Sequence, residues 1–109
     1  MINNKDFGKL DLRIGTILKA ELLDKAKKPA YLLEIDFGEL GIKKSSAQIT
    51  DVYKPTDLIG KQIVAIVNLP PKKIAGVTSE ALVLGANSKD QVVVLLEPQK
   101  NIPNGAKVG

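Results

Sequence analysis

Two stretches concentrate the side chains that could do chemistry. Lys43-Lys44-Ser45-Ser46-Ala47-Gln48 sets ammonium groups beside small hydroxyls and an amide. Asn68-Leu69-Pro70-Pro71-Lys72-Lys73-Ile74-Ala75-Gly76 puts an amide, a proline pair, a lysine pair and a glycine on one run, and Ser79-Glu80 follows it. Hydroxyls and amides both donate and accept hydrogen bonds, and ammonium groups hold anions as point charges. These groups are suited to binding rather than to bond-making. Each also has a plainer role. The lysine–serine run resembles a solvated turn, the proline run an ordinary stiff connection, and Ser79-Glu80 a polar approach to a strand. Asn68 ends an apolar strand, so its amide either meets a ligand or tethers a loop.

Missing residue types narrow the chemistry further. The chain has no cysteine and no histidine. That removes Cys–His zinc sites, thiol nucleophiles, imidazole acid–base catalysis and disulfides. The 12 acidic residues are scattered rather than grouped as an all-carboxylate metal site requires. No catalytic residue, metal or cofactor is expected. The net charge of +4 suits either a solvated surface or an anionic partner. Arg13 is the only arginine, so bidentate reading of bases is not expected. Phe7, Tyr31, Phe37 and Tyr53 are the only aromatics. Part of that small set must serve the core, which leaves a poor platform for stacking single-stranded bases.

The elements that must position these groups read mostly as strands. With 109 residues, 44% of them hydrophobic, the chain suits one domain with a real core. Asn4 to Leu10 suits one helical turn. Leu12 to Glu21 is a predicted strand, with Gly15 marking a bulge or sharp coil. Tyr31 to Phe37 and Gly41 to Ala47 are the next strands, and Lys25, Lys27 and Lys28 lie in the charged loop before them. Ile49 to Tyr53 suits a short helix ending before Pro55, and Thr56 to Leu58 another turn. Gln62 to Leu69 is rich in β-branched residues and is the clearest strand. Glu80 to Ala86 and Gln91 to Glu97 follow, and Asn101 to Gly109 reads as a loop-like tail. Short strands at this spacing predict a small closed barrel. The residues alone do not choose its topology. No apolar run is long enough for a membrane helix, and the polar start at Met1 to Lys9 has no secretory character. Both point to a soluble, cytoplasmic protein.

A family resemblance adds the topology. Leu10-Asp11-Leu12-Arg13-Ile14-Gly15 resembles the opening of the tRNA-binding OB-fold domains, which occur alone and attached to aminoacyl-tRNA synthetases. The run Asn68 to Gly76, followed by Ser79-Glu80-Ala81-Leu82-Val83-Leu84-Gly85, resembles that family's second signature. Ile35-Asp36-Phe37-Gly38, Lys44 to Thr50 and Pro103 to Gly109 are similar to the CsaA-type protein-export chaperones, a stand-alone branch. Two features depart from the tRNA-binding relatives. Ser45-Ser46-Ala47-Gln48 stands where those domains tend to have a more apolar run, and Lys28-Pro29-Ala30 replaces their histidine–proline pair.

The resemblance implies an all-β fold: a five-stranded OB barrel with short helical insertions and terminal extensions, in one domain over residues 1–109. It implies a homodimer that binds unfolded or precursor polypeptides without nucleotide hydrolysis. The alternative is a module that binds tRNA through its lysine-rich loops. In either case the expected site is Lys44, Ser45, Ser46, Gln48, Asn68, Pro70, Lys72, Lys73, Ser79 and Glu80. Phe7, Leu10, Ile102 and Val108, apolar residues on the extensions, are expected at a two-fold interface.

Overall fold

The computed structural model describes residues 1–90 and 92–109. In chain order the elements are α1 (Asn4–Phe7), β1 (Leu12–Leu22), β2 (Tyr31–Asp36), a 3₁₀ turn (Gly38–Leu40), β3 (Ile42–Ala47) and α2 (Pro55–Leu58). There follow β4 (Gln62–Ile66), β5 (Lys72–Ile74), β6 (Val77–Ser79), β7 (Leu82–Val83), β8 (Gly85–Asn87), β9 (Val93–Leu95) and β10 (Lys107–Val108).

β1 organises the sheet. On one side it pairs antiparallel with β4, Leu12 opposite Ile66 through Thr16 opposite Gln62. On the other it takes β10 at Leu12 and Arg13, then β2 from Thr16 to Leu22. The main path is β3-β2-β1-β4-β7, with the hairpins β5–β6 and β8–β9 standing off it. Curling brings β3 back towards β6 and β7, so the sheet nearly closes into a barrel.

Ile17, Leu33, Ile35, Phe37, Leu58 and Ile63 are fully buried inside it, each worth about 1.5–3 kcal/mol of apolar burial. Gly15 belongs to this packing. A Cβ there would lie 2.6 Å from Ile35 and 2.8 Å from the Phe37 ring. The expected bulge at Gly15 is therefore corrected: the register shifts further on, between Ile17 and Lys19, and Gly15 is small because the barrel interior is full.

Other expectations also shift. Ile49 to Tyr53 is not a helix but a turn. The helical turn begins at Pro55 itself, where a missing N–H costs nothing. The Asp57 carboxylate accepts the Lys54 N–H at 2.9 Å there. The strand from Gln62 ends at Ile66 rather than Leu69, and the Val67 N–H turns to the Asp11 carbonyl at 2.9 Å. The stiff loop expected at Leu69 to Gly76 contains a strand, because Ala75 (φ 50°) and Gly76 (φ 84°) form a two-residue turn between β5 and β6. Glu80 to Ala86 divides into β7 and β8. Of the strand expected from Gln91 to Glu97, β9 covers Val93–Leu95 and Gln91 lies outside the described residues.

The tail is stapled rather than loose. The Gly105 N–H donates to the Ile14 carbonyl at 2.7 Å, and the Ile14 N–H to the Ala106 carbonyl at 3.0 Å. Thr16 Oγ1 donates to Asn104 Oδ1 at 2.6 Å, and the Arg13 guanidinium to the Gly105 carbonyl at 3.0 Å. Among the described residues no helix is long and apolar enough to cross a membrane.

Candidate functional site

The site grows from how β3 meets the far side of the barrel. Among the described residues no β3–β7 ladder forms. A few bonds from a short stretch, most of them through side chains, close the seam instead. The buried Ser45 hydroxyl donates to the Ala81 carbonyl at 2.7 Å. The Lys44 N–H donates to the Glu80 carboxylate at 2.9 Å, and the Glu80 N–H returns to the Lys44 carbonyl at 2.7 Å. The Ser46 N–H donates to the Ser79 hydroxyl at 3.0 Å.

Beyond Ser46 these closures stop and the walls part. A cleft of about 760 Å³ opens between the end of β3, the β5–β6 hairpin tip and strands β7 and β9. Its apolar surface comes from Ile49, Ile74, Leu82, Val83, Val93 and Leu95, with Ser46 and Gln48 along one edge. Lys25, Lys27 and Lys28 rim it from the β1–β2 loop. That loop is closed at its base by the Leu23 N–H donating to the Ala30 carbonyl at 2.9 Å. All three lysines are exposed, and none forms an ion pair among the described residues. Among the described residues no aromatic ring lines the cleft. Tyr31 and Tyr53 are occupied behind it. The Tyr31 hydroxyl donates to the Tyr53 carbonyl at 2.7 Å, and the Tyr53 hydroxyl accepts the Leu95 N–H at 3.1 Å. The second bond ties the cleft floor to the barrel.

A smaller groove of about 190 Å³ adjoins this cleft and shares Ser46, Ile74 and Leu82 with it. Pro70, Lys72, Ser79 and Glu80 line it, so the fold gathers these expected residues around Ser46. Gln48 lies in the main cleft, and Ser45 is sealed in the seam. Lys73 alternates to the other face of β5 from Lys72 and lines neither groove. The exposed Lys44 side chain borders a separate groove with Glu34, Ile42 and Thr78. Asn68 stands apart: its Oδ1 accepts the Asp11 N–H at 2.9 Å and its Nδ2 donates to the Lys9 carbonyl at 2.8 Å. It tethers the segment after α1.

Among the residues expected at an interface, Phe7, Leu10 and Ile102 are exposed and Val108 is half-buried in β10. Gly109 lies close to the Phe7 ring, while the Ile102 main chain is held further along by the Gln62 amide.

Comparison with known proteins places this architecture. Residues 12–107 match the family described as "Putative tRNA binding domain". The crystal structure of chaperone CsaA from Bacillus anthracis is 59% identical with a TM-score of 0.95, covering 100% of this chain and 99% of that one. A CsaA chaperone structure from Picrophilus torridus is 50% identical, with a TM-score of 0.93 and full coverage of both chains. The chain belongs to the CsaA branch of the tRNA-binding domain family. Its barrel is accordingly an OB fold. A methionine–tRNA ligase from Methanosarcina mazei is 35% identical over 108 residues, yet the chain spans only 15% of that ligase's length.

Within this CsaA-type barrel, sequence reasoning missed most of the main cleft. Ile49, Leu82, Val83, Val93 and Leu95 read as ordinary core positions, and only the fold shows that the seam opens above them. One signal was available. Lys25-Ala26-Lys27-Lys28 joins two strands through a loop with no acidic partner after Asp24, and its charge faces this opening.

Proposed function

We propose that this chain is a molecular chaperone that holds unfolded or precursor polypeptides in the apolar cleft, without nucleotide hydrolysis. The lining carries the reading: among the described residues it is an apolar floor without an aromatic ring, beneath a rim of exposed lysines that form no ion pair. Apolar burial gives affinity that tolerates many sequences. The lysines speed encounter with acidic segments. The likeness to the CsaA chaperones supports the same reading, and we extend it to an export-related role in the cytoplasm.

An RNA-binding role draws support from the family description and the lysine rim. The lining disfavours it, since single-stranded RNA is held largely by stacking on aromatic or guanidinium planes. Fluorescence titration against a permanently unfolded protein and against bulk tRNA, at low and high salt, separates the two. Polypeptide binding is expected to persist at high salt. Binding to RNA through lysines collapses there, because counterion release drives it. Salt-sensitive binding of tRNA with none of the unfolded protein would overturn the chaperone reading.

We also propose a C2 homodimer. Phe7, Leu10 and Ile102 are exposed and apolar, and an isologous interface would shelter them together with Val108, at about 1.5–3 kcal/mol per fully buried side chain. Sedimentation at micromolar concentration is expected to show a dimer. A monomer would refute this part alone.

A further inference from the structure

The seam has a property that apolar lining alone does not describe. Along β3, successive main-chain groups point alternately towards β2 and away from it. The bonds from Lys44 and Ser46 to Glu80 and Ser79 identify the even-numbered residues as those turned away from β2. The side-chain pattern continues past the end of the ladder: Ser45 is buried, Gln48 exposed and Ile49 buried. Gln48 is therefore the next residue whose main chain faces away from β2. Its N–H and C=O, and the Ser46 C=O before them, meet no partner among the described residues. Ser46, Gln48 and Ile49 all line the main cleft. An open strand edge thus runs beside an apolar floor, and unmet main-chain groups of this kind are a template for another strand.

We infer that a bound polypeptide enters as an added strand, its main chain paired with the Ser46–Gln48 edge. This rests on the chaperone reading and deepens it by stating how the client is recognised. Main-chain pairing is indifferent to client sequence, whereas alternate side chains confer preference. On an added strand every second side chain points the same way. One set meets Ile49, Val83, Val93 and Leu95. The other faces the solvent side. The exposed lysines at the rim select acidic residues at the ends of the bound segment. The favoured ligand is an extended segment with apolar residues at alternate positions and Asp or Glu beside them. Folded proteins keep such segments paired internally, so an open edge recognises the non-native state.

The test keeps the protein unaltered. The probe is a synthetic peptide of alternating valine and threonine flanked by glutamates. Two further versions carry N-methyl groups on one or the other alternate set of amides, so each blocks one strand edge. One methylated version is expected to bind about tenfold more weakly than the parent, and the set that loses binding reports the strand direction. Hydrogen exchange at the Gln48 amide, followed by NMR, is expected to slow when the parent peptide is added. If both methylated peptides bind like the parent and Gln48 exchange is unchanged, strand addition is wrong while polypeptide binding stands. If neither the peptides nor an unfolded protein bind and tRNA does, the chaperone reading falls and this inference with it.

Discussion

The run from β3 into the two residues that follow it has two halves that differ in what lies beyond their outer edge. From Lys44 to Ser46, hydroxyls and a carboxylate join the edge to β6 and β7. At Gln48 and Ile49 no main-chain hydrogen bond crosses among the described residues, and the cleft begins. The same run of chain therefore serves as seam and as rim. Polar side chains that look ready for a ligand are largely engaged in closing the barrel. The surface left for a partner is mostly apolar and starts where they stop. A short closure made mostly by side chains suits this arrangement, because a full β3–β7 ladder would cover the opening.

Breaking the sealed half has the largest expected effect on the fold. Ser45→Ala removes the hydroxyl from the Ala81 carbonyl, leaving that oxygen only the longer Ser79 contact at 3.4 Å. Losing the short bond to this carbonyl costs about 0.5–1.5 kcal/mol. Thermal unfolding of the variant is expected several degrees below the parent, with polypeptide binding at low temperature unchanged. Weak binding by a variant of unchanged stability would mean that Ser45 touches the client and that the two halves are not distinct.

Much of the barrel was legible because strand signals are local. The β-branched run at Gln62 to Val67 and the prolines at Pro70 and Pro71 need no tertiary knowledge. The site was only half legible. Ser46, Pro70, Lys72, Ser79 and Glu80 do gather, since two motifs far apart in sequence meet at the seam. Their use was not legible, because a hydroxyl that seals a barrel and one that binds a ligand are the same residue. Asn68 makes the same point: the structural alternative was open from sequence, and its amide spans the segment after α1. The cleft floor was invisible because a residue's apolarity does not say whether its neighbour strand will part from it. β10 was missed because Lys107 and Val108 carry too short a pattern to mark a strand.

Altering the open half sharpens the comparison from the other side. Reversing Lys25, Lys27 and Lys28 to glutamate changes charge on an exposed loop without removing packing. Stability is expected within about 0.5 kcal/mol of the parent. Binding of an acid-flanked peptide is expected to weaken about tenfold at low salt, and the deficit should shrink as salt screens the rim. Isothermal titration at two ionic strengths checks both parts. A salt-independent loss would show that the lysine stems, rather than their charges, hold the client.

The smallest expected effect comes from the hairpin tip that overlooks both halves. Ala75 has φ 50° and lines the cleft beside Ile74. A side chain at positive φ costs about 1–2 kcal/mol in the left-handed region. Glycine avoids that cost, but it gives the unfolded chain more freedom, worth about 0.5–1 kcal/mol against folding. The net expectation for Ala75→Gly is therefore a gain of about 0.5 kcal/mol, read as a slightly higher denaturant midpoint with an unchanged slope. The substitution also removes a methyl group from the cleft wall without touching the floor formed by Val83, Val93 and Leu95. If the floor and the open β3 edge hold the client, binding should stay within about twofold of the parent, a difference well under 1.4 kcal/mol. A larger loss would assign the hairpin tip a direct part in gripping the client, and the working surface would then extend from the open half across to β5 and β6.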